Sequence, residues 1–293
     1  YDAYLRADCG TSNYSSWVGP LSFTTTSTSC TAISAPYFED FETALLGTQT
    51  NFGNCWTSSN GASNPMWTAN QGGTPSVSTG PTGDHTTGSG TYLYTEVSAP
   101  AAAGDTIMLL SPLIDVSSLS TPMLEFYYHM YGQAMGILHV DVSNGSSWTR
   151  DVLTLSGQQQ TAQTEPYKRV QVALSGYSGN IQIRFRAEAG PISGISSGST
   201  FYGDMAIDDV SVIQAPLCPD VFGITAGLIQ SSSAEILWNG QGGTNFNVEY
   251  GPTGYGQGSG TLLSTNTDSI FITGLTPVTS YDVYIQNDCS GSG

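Results

Sequence analysis

Met123-Leu124-Glu125-Phe126-Tyr127-Tyr128-His129-Met130-Tyr131 is a nine-residue run of large, mostly apolar and aromatic side chains broken only by Glu125 and His129, stopped by Gly132 and followed by Gly136-Ile137-Leu138-His139-Val140. Runs of this length and makeup, bounded by glycine, read as β-strands. The same signal recurs at 180–187, 204–213, 233–238, 245–250 and 269–272, set between Gly, Ser, Asn and Pro punctuation. No stretch carries apolar residues at i, i+3, i+4 and i+7 with a cap at either end. The chain is therefore expected to be all-β, and strands at this spacing suit a sandwich.

Working outward, 293 residues are enough for about two domains. Acidic residues outnumber basic ones 23 to 6, for a net charge of −17, and Lys168 is the only lysine. Such a balance repels phosphate backbones and anionic lipid, which excludes nucleic acid and the membrane surface as partners, and it is compatible with cation binding. No apolar run reaches the roughly 18 residues of a membrane span, so no membrane insertion is expected of this segment. No basic region followed by an apolar stretch marks a signal peptide. In an internal piece of a longer chain, that has no bearing on export.

The ends of the chain repeat each other. Tyr1-Asp2-Ala3-Tyr4-Leu5-Arg6-Ala7-Asp8-Cys9 matches Tyr281-Asp282-Val283-Tyr284-Ile285-Gln286-Asn287-Asp288-Cys289 at Tyr, Asp, Tyr, Asp and Cys, offset by 280 residues. A window on a tandem array of that period explains the match. It also suggests a pairing for the odd number of cysteines. Cys9 and Cys289 hold the same place in successive copies, so Cys218 partners Cys289, Cys30 and Cys55 form a second pair, and the partner of Cys9 lies upstream. The alternative is five small buried thiols. Paired cysteines imply an oxidising, extracellular setting. Two linkers, the small polar stretch ending at Cys30 and the proline-bracketed 214–219, divide the chain into 1–28, 30–214 and 217–293.

Residues 217–293 resemble a fibronectin type III domain, an Ig-like β-sandwich, lacking its last strand. The resemblance rests on Trp238 closing 234–238, on Asn247-Val248-Glu249-Tyr250-Gly251, and on Gly274-Leu275-Thr276-Pro277 running into Tyr281-Asp282-Val283-Tyr284. It implies a buried Trp238 and a tyrosine-corner hydrogen bond from Tyr281 back to the backbone. Residues 1–28 resemble the closing strands of the same kind of module. Residues 30–214 resemble a MAM domain, a β-sandwich of jelly-roll type. Four motifs in order carry this: Phe38-Glu39-Asp40-Phe41-Glu42 followed by Cys55-Trp56; Gly83-Asp84-His85-Thr86-Thr87-Gly88 leading into Tyr92-Leu93-Tyr94; the opening stretch at 124–140; and Gly203-Asp204-Met205-Ala206-Ile207-Asp208-Asp209-Val210.

Acidic residues cluster at these motifs. Asp40 and Glu42, two apart on an expected strand, share one face. Asp84 sits in a Gly-rich loop, and Asp208-Asp209 lie on the closing strand, which often neighbours the first strand of a jelly roll. Carboxylates with loop carbonyls suit Ca2+ or Na+, and the resemblance to jelly-roll modules implies a structural cation held by Glu42, Asp84 and Asp208, with Asp40 and Asp209 in support. The plainer reading has these residues capping turns or facing solvent. Paired carboxylates also serve glycoside hydrolysis, but nothing places a second pair in a cleft. His85, His129 and His139 lack zinc-ligand spacing, and the latter two are expected to be packed and hydrogen-bonded. No nucleophile elbow is present. The chain is expected to be non-enzymatic.

Alternating fibronectin-like and MAM-like modules, nearly free of lysine, resemble large exported surface proteins of Bacteroidota. This implies a repeat segment of an extracellular, cell-surface adhesin, stalk or filament, with neighbouring repeats or copies head-to-tail as partners and surface glycans or other cells as targets. The rival expectation is an accessory carbohydrate-binding or spacer module of a secreted hydrolase, with Trp67, Trp148 and Tyr255 stacking on sugar rings.

Overall fold

The computed structural model describes residues 2–5, 15, 18–22, 30–47, 50–59, 65–190 and 200–290. The chain forms two compact units, Tyr1–Cys30 and Thr31–Gly293. In the first, strands β1 (Asp2–Leu5) and β2 (Val18–Ser22) pair antiparallel, with Ala3 opposite Leu21 and Leu5 opposite Val18. Cys9 lies outside the described residues.

The second unit is all-β among its described residues. One six-stranded sheet contains β3 (Ile33–Ser34), β5 (Thr57–Ser58), β8 (Thr106–Asp115), β10 (Ile137–Ser143), β11 (Trp148–Ser156) and β13 (Asn180–Glu188), in the order β11-β10-β13-β8-β3 with β5 also on β8. The other contains β4 (Tyr37–Glu39), β6 (Met66–Gln71), β7 (Thr91–Glu96), β9 (Pro122–Met130), β12 (Lys168–Ala173) and β14 (Met205–Gln214), in the order β12-β9-β14-β7-β6 with β4 on β14.

The stretch that opened the sequence reading is β9, and its alternation explains its place. Leu124, Phe126, Tyr128 and Met130 point into the core between the sheets, while Glu125 and Tyr127 stay partly exposed on the other face. Phe126 meets Phe185 of the opposite sheet edge-on, with ring centroids 4.9 Å apart, and Trp56 packs on Phe185 at 6.2 Å. The Trp56 Nε1–H donates to the Tyr37 hydroxyl at 2.7 Å, which keeps the indole satisfied at full burial.

A smaller pair of sheets follows. Strands β15 (Phe222–Ile229), β16 (Ser233–Asn239) and β19 (Ser269–Thr273) form one in the order β15-β16-β19. Strands β17 (Phe246–Pro252), β18 (Thr261–Thr265) and β20 (Tyr281–Asn287) form the other in the order β18-β17-β20. Ile236, Trp238, Phe246, Val248 and Ile272 make its own core. Gly240 is required there, because a Cβ would stand 2.3 Å from the Phe246 ring. The Tyr281 hydroxyl accepts the Thr276 amide at 2.9 Å, the expected return to the backbone. Cys218 and Cys289 are joined in a disulfide, and Cys30 and Cys55 are each disulfide-bonded.

These sheets meet the larger ones along edge strand β12. The Ala173 amide donates to Gln241 Oε1 at 2.9 Å, the Asp220 amide donates to Gln171 Oε1 at 3.3 Å, and Arg169 pairs with Asp220.

One local expectation is corrected. Asp40 and Glu42 do not share a strand face, because β4 ends at Glu39 and Phe41 takes a left-handed backbone, φ 56°. That turn buries the Phe41 ring edge-on against Trp56, centroids 5.2 Å apart, and the Asp40 carboxylate accepts the Glu42 amide at 3.1 Å.

Candidate functional site

The site lies where the 84–90 loop covers the outer face of β14. Ile207 and Val210 both point into the core, so one extra residue sits between them. This is a β-bulge in the pairing with β9, where the register shifts between Asp208 and Ser211 and Asp209 has φ 46°. Bulges re-aim side chains, and here the bulge delivers Asp208 and Asp209 to the same outer face. The loop answers with its backbone and hydroxyls. The His85 amide donates to Asp208 at 2.9 Å, and the Asp209 amide donates to the other Asp208 oxygen at 2.9 Å. Asp209 takes the Thr86 hydroxyl and His85 Nδ1, each at 2.6 Å. The His85 ring stacks on Tyr127 with centroids 3.6 Å apart.

Asp84 folds back on its own loop, accepting the Thr87 amide at 2.9 Å and the Gly90 amide at 2.6 Å. Burial raises its carboxyl, but the Thr87 and Gly90 amides and the Thr87 hydroxyl outweigh that and hold it below the usual range. Glu42 reaches the same place, accepting the Thr91 amide at 3.0 Å. A Cβ on Gly90 would stand 2.0 Å from Glu42 Oε1 and 2.9 Å from Asp84 Oδ2, so the two carboxylates close over that glycine. Burial lifts Asp208 to about 8, and the charges of Asp209 and Asp84 push the same way against the two amides.

The structure thus brings Glu42 to Asp84, and Asp208 and Asp209 to the loop residue that follows Asp84. Asp40 caps its own turn instead. The donor set is one of hard oxygens, and among the described residues no Lys or Arg pairs with Glu42, Asp84 or Asp208. That chemistry fits a hard cation. Among the described residues, no three His, Cys, Asp or Glu side chains form a ready-made ion cage.

Beside the loop is a shallow depression of about 620 Å³ lined by Phe38, His85, Glu125, Tyr127, Asp209 and Ser211. Phe38 is 60% exposed there. Trp67 takes no part in any such surface, because it is fully buried. Trp148 is half-buried under the Arg184 guanidinium, 4.1 Å from its ring centre. Tyr255 is half-buried against Tyr284.

Two buried carboxylates, Asp141 and Asp204, escape sequence reading. Asp141 is fully buried and held by Arg184 at 2.7 Å and Arg186 at 3.2 Å, and Asp151 links the same Arg186 at 2.5 Å to His139 at 2.7 Å. Asp204 is fully buried with neither carboxylate oxygen at hydrogen-bond geometry, and burial, with the Glu96 charge, lifts it to about 8. His129 is packed as expected but not hydrogen-bonded at either ring nitrogen, and burial lowers it to about 4. Charged neighbours of like pattern along the sequence, Asp141 with Arg184 and Arg186 on strands that turn out to adjoin, were the only signal available.

No helix of the described residues is long and apolar enough to cross a membrane. Among curated proteins, the chain is 34% identical over 157 residues to thyroid hormone-induced protein B of Xenopus laevis, covering 53% of this chain and 20% of that protein. It is 36% identical over 150 residues to human MAM domain-containing protein 2, covering 51% and 20%. The chain spans a fifth or less of the length of these relatives. Among solved structures, a cleaved adhesin domain of Lys-gingipain from Porphyromonas gingivalis superposes with a TM-score of 0.42 at 14% identity, over 61% of this chain and 98% of that one. The sequence pattern of the MAM domain, meprin/A5/mu, matches residues 40–219, over half of the chain, and the chain belongs to that family.

Proposed function

We propose that this chain is a repeat segment of an extracellular surface protein that acts as an adhesin, stalk or filament. The MAM module is non-catalytic, so the work is binding and spacing. The observation that carries the reading is the duplicated end. The stretch at 1–9 recurs at 281–289 in sequence on either side of a MAM module, and among the described residues Asp2–Leu5 and Tyr281–Asn287 are the strands β1 and β20. In this reading 1–28 and 217–293 are complementary parts of the same type of fibronectin-like module, from successive copies, and 30–214 is a jelly roll. The disulfides support an oxidising, cell-surface setting, and the Bacteroidota-type composition supports a bacterial one.

The acidic loop is proposed to hold a structural Ca2+, or Na+, through Glu42, Asp84 and Asp208, with Asp209 behind them and Asp40 left on its own turn. A cation there offsets buried negative charge and ties the 84–90 loop to β14.

Sequencing the gene on both sides of this segment tests the reading. Further copies at a period of about 280 residues are expected. A single copy beside a hydrolase domain would instead favour an accessory carbohydrate-binding module. The observation on that side is the depression lined by Phe38, His85 and Tyr127, in which the exposed Phe38 ring suits a sugar face. A glycan array with the Phe38→Ala chain as control reads it out directly.

A further inference from the structure

Between β6 and β7 the chain runs from 72 to 90 without a strand. Its second half is the acidic loop, and its first half is anchored where β14 begins. The Gly80 amide donates to the Tyr131 carbonyl at 2.9 Å, and the Asp204 amide donates to Thr79 Oγ1 at 2.9 Å. Asp204 is fully buried at this anchor. It lies on the outer side of the sheet, since Met205 packs into the core and Ala206 packs on Tyr92 and Tyr94 outside it. Ala206 stands opposite Tyr94 in the pairing of β14 with β7, and that register continued by two residues sets Glu96 opposite Asp204.

The other buried carboxylates of this module have donors for their charge, Asp141 from two guanidinium groups and Asp208 from two amides. Asp204 has none. Among the described residues it is the buried carboxylate with both oxygens unpartnered, and no Lys, Arg or His pairs with it. Nearest to it are the Thr74 and Ser76 hydroxyls and the Val97 amide, none at hydrogen-bond geometry. The Thr74 hydroxyl spends its proton on the Thr79 carbonyl at 3.1 Å, so it offers lone pairs to its surroundings. A buried charge left among acceptors is costly. One proton would satisfy one of these oxygens, whereas a cation gathers several from separate segments at once. Glu96 stays at the rim, its oxygens already taking the Ser98 amide at 2.8 Å and the Tyr94 hydroxyl at 3.3 Å. The inner site therefore holds one carboxylate and neutral hydroxyl oxygens, which balance a single positive charge.

We propose that the Asp204 carboxylate, with the Thr74 and Ser76 hydroxyl oxygens, binds a monovalent cation, Na+, that fastens the 73–80 turn to the start of β14. This place is separate from the acidic loop. Asp208 lies four residues further along, about 13 Å at strand spacing, with the Ala206–Tyr94 pair between them. The two sites stand or fall independently.

The test follows melting of the full chain in chelator, in sodium chloride and in choline chloride at equal ionic strength, so that divalent ions and general screening are held constant. Exchanging choline for sodium should raise the melting temperature by about 3 °C, and the protein should broaden the sodium NMR line. Both effects should persist in Asp84→Asn, which disables the acidic loop, and vanish when Asp204→Asn is added to it. Ser76→Ala keeps the carboxylate and should weaken sodium affinity severalfold, a readout that does not depend on how well Asp204→Asn folds. Equal melting in the two salts with no line broadening overturns the proposal. So does a sodium effect that is lost in Asp84→Asn or that survives in the double variant. A chain whose stability answers to pH and not to sodium shows that a proton neutralises Asp204, and overturns it as well.

Discussion

Asp141 concentrates in one side chain the unusual charge economy of this protein. The chain has six basic residues, and two of them, Arg184 and Arg186, are spent on this one buried carboxylate. Burial raises the Asp141 carboxyl, but the Asp151 amide and the two guanidinium groups outweigh it and hold it below its ordinary range. Removing one partner of a buried pair leaves the others uncompensated, so Asp141→Asn should cost about 3 kcal/mol in chemical denaturation. The pH dependence separates this residue from His129. His129 has a folded value of about 4 against 6.5 when unfolded, so its contribution falls as pH drops from about 6.5 to about 4, while Asp204 and Asp208, lifted to about 8 in the fold, contribute the opposite way between about pH 4 and 8, and the three together make the upper limb. Asp141 has a depressed folded value, so its contribution is present above the unfolded carboxylate range and is lost below about pH 4. Asp141→Asn should therefore flatten the lower limb and keep the upper one. A variant that loses both limbs would show that the two groups are coupled.

The 84–90 loop is the element on which the cation proposal stands. Four carboxylates converge there on amides and hydroxyls, without an Arg or Lys among the described residues. Chelation should lower the melting temperature by about 4 °C, the shift that 1–2 kcal/mol of linked binding gives a domain of this size. Asp84→Asn should abolish the response, and an unchanged melting curve counts against the ion. Most elements were legible beforehand. The runs at 123–131, 180–187, 204–213 and 269–272 became β9, β13, β14 and β19 within a residue or two, because apolar content and glycine stops fix strands locally. Two features of the site were not. The left-handed Phe41 takes Asp40 off the expected face, and the β14 bulge puts Asp208 and Asp209 on one face where alternation would split them. Both are set by what the backbone meets across the core, which a local pattern does not carry. The Arg184–Asp141 pairing was hidden for the same reason, since it joins strands 43 residues apart.

At the scale of the whole molecule, the second unit holds two cores, one between the six-stranded sheets and one between the three-stranded sheets, with the Arg169–Asp220 and Ala173–Gln241 contacts between them. Edge strand β12 carries this contact. Closing a loop across 71 residues, the Cys218–Cys289 disulfide also contributes about 4 kcal/mol to the smaller module through the entropy of the unfolded chain. Its placement has a mechanical meaning as well. Tension applied at the two ends of the chain enters this module beside Cys218 and leaves beside Cys289, so the load crosses a covalent bond spanning 5.8 Å between Cα atoms and bypasses every strand from β15 to β20. Stretched singly in a force spectrometer, the oxidised module should yield no contour length, and the same module under reductant should release about 240 Å. Under pull, the link is held by a thiol bond rather than by packing, and a reducing surrounding is what lets it pay out.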